Sequence, residues 1–277
     1  MKWYSNVMVK GKDGKFIPEL IVEYLRENGI EYITSLPDTP NLTIDDIIIY
    51  CEKESKKLDN SKVDFSRLIK EAISSGYDKR YFINKKEERK IFEKEFCDGF
   101  FSVLNHLGLL DVYRNLNIIV VGIGNGSECE MLYSDIKNIT IVDIAPDSLN
   151  RSKCILPNAK SYQEFADNLK SLADSEFDLY LSLRTYQSTY FNIYSSLKEA
   201  KRILKKHGTI IISIACGYLN EENDIVYGLF NPHNGVLEKE RPTLFVEDVI
   251  KYLRELGFDI VGTKKISTEI FIYAFRC

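Results

Sequence analysis

The sequence predicts an α/β fold. It is a mostly parallel, seven-stranded sheet with helices on both faces, closed by a C-terminal antiparallel hairpin and preceded by a mainly helical N-terminal extension. Three observations lead there. From Lys85 onward, short apolar runs alternate with stretches of helical periodicity, the pattern of a parallel sheet covered on both faces. The first run, NIIVVG, is apolar without alternation, as a strand buried on both faces must be. The last two runs, FDIVGTKK and TEIFIYAF, are separated by too few residues for a crossover, so they must pair as a hairpin.

Taken in order, residues 1–84 form the extension and 85–277 the sheet domain. In the extension, KGKDGK reads as a turn between short strands, and FIPELIVEYLRENG as a helix closed by Gly29. SLPDTPN, with Pro37 and Pro40, is a loop. Thr43 opens a second helix whose Asp45 and Asp46 suit its N-terminus, and DFSRLIKEAISSG is a third, ending at Gly76. KKEERK reads as a solvated helix face. Phe92, Phe96, Phe100, Val103, Leu107 and Leu110 then form one apolar helical stripe.

Beyond NIIVVG come a short helix (SECEMLYSDI), a strand (NITIVDI) and a helix with Pro146 in its first turn. A strand near NAKSY, a helix QEFADNLKSLA and a strand FDLYLSL follow. Residues 190–206 read as a helix stopped by Gly208, then GTIIISIA as a strand, LFVEDVIKYLRELG as a helix, and the hairpin.

Composition excludes several classes. With 277 residues, 44% hydrophobic and 28% charged, the chain is neither disordered nor low in complexity. No apolar run reaches the ~18 residues of a membrane span, and the start lacks the apolar core of a secretory signal. Six scattered cysteines without a C-x-x-C pair suggest no disulfide framework and no zinc site; a reduced cytoplasm is the plain expectation. The net charge of −4 argues against a protein held on nucleic acid by phosphate contacts.

The informative stretch is V-V-G-I-G-N-G-S-E, residues 120–128, directly after a strand and before a helix. Gly122, Gly124 and Gly126 let the chain turn sharply and a ligand approach the backbone, facing amides at the next helix start. The following strand ends in Asp143, 17 residues beyond Gly126, where a carboxylate can accept both hydroxyls of a ribose. A dinucleotide fingerprint G-x-G-x-x-G needs glycine at 127, where the chain has Ser127.

The G-x-G-x-G spacing, followed by Asp143-Ile144-Ala145-Pro146-Asp147-Ser148-Leu149, resembles the class I, Rossmann-like S-adenosylmethionine-dependent methyltransferases over about residues 85–277. The resemblance implies S-adenosylmethionine as methyl donor and S-adenosylhomocysteine as product. It places Gly122, Gly124 and Gly126 around the methionine part with Asn125 at the loop tip, Asp143 on the ribose and Ile144 against the adenine. Near the adenine amine, where the family carries an acidic or polar residue, the chain has Ser161, Tyr162 and Gln163. The loop after strand four, Leu183-Arg184-Thr185-Tyr186-Gln187, lines the methionine and acceptor pockets. Arg184 is either a salt-bridged residue or the group that binds the cofactor carboxylate or an anionic acceptor. Tyr186 and Gln187 either orient the acceptor or pack under the loop. Val120 stands where the family often has an acid, so the contact to the methionine amino group must come from elsewhere.

Of three histidines, His106 and His207 read as structural, the latter at a helix end. His233, in F-N-P-H-N-G, is either a turn residue or a general base reaching the acceptor; no catalytic residue is singled out otherwise. Methyl transfer from a sulfonium needs positioning above all. The expected activity is therefore methylation of a small-molecule acceptor, with residues 1–84 partly capping its pocket. The alternatives are an RNA or protein methyltransferase, with a basic groove from Lys79, Arg80, Lys85 and Lys86, or a non-catalytic S-adenosylmethionine-binding module. The acceptor's identity and the oligomeric state stay open.

Overall fold

The computed structural model describes residues 17–37, 44–58, 63–80, 89–124, 126, 128–186, 192–219, 225–230 and 236–277. The expected strands around KGKDGK, the Pro40 part of the first loop, and Thr43 lie outside them.

The extension contributes α1 (Ile17–Glu27), α2 (Ile44–Lys57) and α3 (Phe65–Arg80). Each buries one stripe: Leu20, Ile21 and Leu25; Ile44, Ile47 and Cys51; Phe65, Leu68, Ile69, Ala72 and Ile73. These side chains form a single core, which also takes in Ala145 of the sheet domain. Helix α3 runs through Gly76 to Arg80 instead of ending there. A glycine inside a helix costs only about 1 kcal/mol, less than the preceding turns gain by packing.

Next come α4 (Arg89–His106), a 3-10 turn (Tyr113–Asn115), β1 (Asn117–Val121), α5 (Cys129–Tyr133), β2 (Asn138–Asp143), α6 (Pro146–Ile155), β3 (Lys160–Gln163) and β4 (Phe177–Leu183). The chain continues through α7 (Ile193–Ile203), β5 (Leu204–Ala215), the short strands β6 (Gly217–Leu219), β7 (Ile225–Tyr227), β8 (Leu229–Phe230) and β9 (Leu237–Glu238), α8 (Arg241–Glu255), β10 (Phe258–Ile266) and β11 (Glu269–Arg276). Seven strands form one sheet in the order β10-β11-β5-β4-β1-β2-β3. The five from β5 to β3 are parallel, and β11 joins β5 antiparallel and pairs with β10 as the expected hairpin.

Alternation along the strands makes two cores. Ile118 and Val120 face α4, α5 and α6 with Phe96, Phe100, Leu132 and Leu149. Ile119 and Val121 face the other side with Leu197 and Ala200 of α7 and Val249 and Leu253 of α8. Leu110, expected in the α4 stripe, lies past the helix end and is exposed.

Three expectations are corrected. The helix expected over residues 163–173 is absent: Gln163 ends β3 and the rest form turns. Arg202 donates to the carbonyls of Leu169 and Leu172 at 2.7 and 2.8 Å, and Glu199 accepts the Leu169 amide at 2.9 Å, so side chains of α7 take the groups a helix would use. The helix expected to run to Lys206 stops at Ile203, and His207 stands in β5 with φ of +63° rather than at a helix end. Two small ribbons, β6–β7 and β8–β9, fill the connection to α8 that showed no strand pattern.

Candidate functional site

Strand order reverses at β1. The chain passes from β1 outward to β2 and β3, then returns to the other side of β1 with β4. The crevice outside the carboxyl ends of β1 and β4 is therefore where a ligand fits a sheet of this kind.

The glycine turn lies on that rim. Gly122, Gly124 and Gly126 have φ of +77°, +61° and +70°, the left-handed region that disfavours any side chain. At Gly122 space is also decisive, since a Cβ there would stand 2.3 Å from Thr185 Oγ1. The Thr185 hydroxyl rests near the carbonyls of Val121, Gly122 and Leu183 at 3.4, 3.3 and 3.2 Å, plugging the gap between β1 and β4. Beneath it, buried Ser182 donates to the Val121 carbonyl at 2.9 Å.

Asp143 closes the turn from the β2 side. Its Oδ2 accepts the Gly124 amide at 2.8 Å and its Oδ1 the Ala145 amide at 2.9 Å. A carboxylate has about four acceptor positions, so a ribose diol can share it with two amides. Next to it, the Ile144 carbonyl accepts from Ser74 Oγ at 2.5 Å and from Gln163 Nε2 at 3.1 Å. The Ile144 side chain is half-buried against the helices of the extension, so that extension is seated on the rim beside Asp143.

Arg184 ends β4 with φ of +59°, its amide donating to the Ser213 carbonyl and hydroxyl at 3.0 Å each. Its Nε donates to buried Glu269 at 2.6 Å, its Nη1 to Glu128 at 3.3 Å, and the guanidinium stacks 4.1 Å from the Phe96 ring. Burial pushes the Glu269 carboxyl up, while Arg184 and Ser213 oppose that shift. Of the two readings of Arg184, the structure shows the salt bridge, and that bridge is buried rather than superficial.

The remaining expected residues divide. Gly122, Gly124, Gly126, Asp143, Ile144, Leu183 and Arg184 gather at the ends of β1, β2 and β4. Leu183 packs its side chain toward the α4 side. Tyr162 sits on β3 opposite Val142, half-buried against the α7 side. Tyr186 is corrected: it is fully buried, its hydroxyl 2.8 Å from Ser196 and 3.3 Å from that of Tyr180, so it packs under the loop instead of facing an acceptor. Burial holds its phenol well above the ordinary value. Asn125, Gln187 and His233 lie outside the described residues, as do Ser127, Lys85 and Lys86. His106 ends α4 with its ring edge-on to Tyr273.

Several site neighbours escaped the sequence reading. Thr185 was seen only as a loop residue. Glu269 could have been noticed as a lone carboxylate opening an apolar strand, which demands a buried partner. Asp167, in the connection after β3, accepts the Asn192 amide at 3.1 Å, and burial raises its carboxyl above the usual range.

A three-glycine turn and a strand-end carboxylate on adjacent parallel strands, in a sheet of this order, belong to a class I Rossmann-like fold. At Gly122 and Gly126 an added Cβ would meet Thr185 and Ser152, and the Asp143 carboxylate is already fixed at the turn's edge, so these residues fit an adenosyl cofactor. Residues 119–212, from β1 into β5, match the family model described as a methyltransferase domain. Residues 119–212 are thus a methyltransferase domain, with S-adenosylmethionine as methyl donor and S-adenosylhomocysteine as product.

Among solved structures, an S-adenosylmethionine-dependent methyltransferase from Mesorhizobium loti is similar at 14% identity and a TM-score of 0.44, over 58% of this chain and 91% of that one. One from Aquifex aeolicus is similar at 17% identity and 0.44, over 59% and 84%. The N-methyltransferase NodS from Bradyrhizobium japonicum, in complex with S-adenosylhomocysteine, is similar at 13% and 0.43, over 64% and 87%. No curated protein matches the chain. Among the described residues no helix is long and apolar enough to cross a membrane, and no three His, Cys, Asp or Glu side chains group as metal ligands.

Proposed function

We propose that the protein methylates a small-molecule acceptor held beyond the carboxyl ends of β1 and β4, beside a wall contributed by residues 1–84. The observation that carries this is the seating of α3 on the rim. Ser74 bonds the Ile144 carbonyl, Lys70 lies over the Phe165 ring at 5.7 Å, and the extension's core includes Ala145. A helical layer fixed beside the cofactor crevice suits an enclosed acceptor better than a polymer laid across an open groove. The acidic net charge of −4 supports the same reading. Six free cysteines, most of them buried, suit a reducing cytoplasm.

In this proposal Gly122, Gly124 and Gly126, with Asn125, surround the methionine end. Asp143 accepts the ribose hydroxyls, Ile144 and Tyr162 border the adenine, Asp167 offers an acceptor for its amine, and Arg184 beside Leu183 receives the methionine carboxylate. The bound donor supplies an electrophilic methyl on a sulfonium. The chain's own contribution is to hold donor and acceptor in line at attack distance, which can account for much of the rate. Gln187 and His233 are the residues proposed to bind the acceptor.

Incubation with isotopically labelled S-adenosylmethionine and fractionated cell extract tests the acceptor class. Label is expected in the metabolite fraction; label only in RNA or protein overturns the assignment.

A further inference from the structure

Arg184 has an unusual environment. It adopts a left-handed backbone conformation without being glycine, and such an outlier persists only where its surroundings over-determine it. Three contacts do so: the amide on Ser213, the guanidinium face on Phe96, and Nε on Glu269 at 2.6 Å. The two acidic partners are not equivalent. The Glu269 side chain is 2% exposed and tightly bonded, whereas Glu128 is 19% exposed and meets Nη1 at 3.3 Å, near the limit of a hydrogen bond. Glu128 also stands two residues after Gly126, and Thr185, the next residue after Arg184, rests on the Gly122 carbonyl. The guanidinium thus borders the glycine turn.

We infer that Glu269 is a positioning residue that aims Arg184 at the carboxylate of the cofactor's methionine end, and that Glu128 is the resting counter-ion which this carboxylate displaces. This rests on the proposed role of Arg184. Exchange of one carboxylate for another keeps the local charge balance around the guanidinium constant while Glu269 stays bonded to it. The displaced Glu128, being the more exposed, returns to water. Glu269 stays, because its burial makes an unpaired ion costly and Arg184 opposes the upward push on its carboxyl.

The test is equilibrium binding to the full chain of S-adenosylhomocysteine and of S-adenosyl-3-thiopropylamine, which keeps the amine and lacks only the carboxylate. Wild type, E269Q, R184K and E128Q are compared by calorimetry, with thermal unfolding recorded for each. E269Q and R184K are expected to lose about tenfold in affinity for S-adenosylhomocysteine, the worth of one charge-assisted hydrogen bond, and little for the analogue. E128Q is expected to bind S-adenosylhomocysteine a few-fold more tightly, since no competing anion must leave, and the analogue unchanged. Equal losses on both ligands, or weaker S-adenosylhomocysteine binding by E128Q, overturn the inference while leaving cofactor binding intact. A wild-type chain that binds neither ligand overturns the cofactor reading, and this inference with it. If E269Q does not fold, the opposite signs expected of R184K and E128Q decide the matter.

Discussion

The carboxylate of Asp143 accepts the Gly124 amide at 2.8 Å, so the end of β2 and the turn after β1 are one unit before any ligand arrives. The strand-end carboxylate is therefore held by the glycine turn itself, and the rims of β1 and β2 are built together.

Replacing Asp143 with Ala is expected to weaken S-adenosylhomocysteine binding by about 1–3 kcal/mol, from loss of charged hydrogen bonds. It should also lower stability by about 1 kcal/mol, because the Gly124 and Ala145 amides lose their acceptor. Calorimetry and denaturant unfolding check the two effects. Unchanged affinity removes Asp143 from the ribose role.

Gly122→Ala combines a disfavoured φ with a Cβ 2.3 Å from the Thr185 hydroxyl. A loss of about 1–3 kcal/mol in stability is expected. Part of it should be recovered when Thr185→Ala is added, since the two side chains collide. A double-mutant cycle from urea unfolding measures the coupling, and strict additivity contradicts the contact.

Tyr186→Phe removes a hydroxyl shared with Ser196 and Tyr180 in the core. It is expected to cost about 1 kcal/mol of stability, with KM for the acceptor unaltered in the folded protein. A KM that rises while stability holds would return Tyr186 to the acceptor pocket.

Glu199 carries a pH-dependent contribution. Hydrogen bonds from Arg202 first, and from the Leu169 amide, hold its carboxyl below the ordinary 4.5 in spite of burial. A depressed folded pKa contributes stability above the unfolded value and loses it as pH falls through the folded one. Glu199→Gln is therefore expected to cost about 1–2 kcal/mol near pH 7, and the difference from wild type should close as pH falls below the ordinary carboxylate range. Denaturation midpoints across that range are the measurement; a constant difference contradicts the charge-assisted role.

Much of the architecture was readable residue by residue. The unbroken apolar run at Asn117–Val121 signalled a strand buried on both faces, and the glycine spacing signalled a sharp turn after it, because both depend on local chain chemistry. The helix expected at residues 163–173 failed because Arg202 and Glu199, some thirty positions away, take its backbone partners. Tyr186 misled for a related reason: a tyrosine beside a loop can face either way, and only Ser196 on α7 and Tyr180 on β4 decide which.

The chain by itself determined the seven strands of the main sheet and the sharp bend after β1, since periodicity and missing Cβ atoms are written along it. Only tertiary structure decided what stands around that bend. Glu269 meets Arg184 across 85 positions, and Ser74 meets Ile144 across 70. Contacts over such separations depend on how packed layers bring distant segments together, and no spacing between neighbouring residues encodes them.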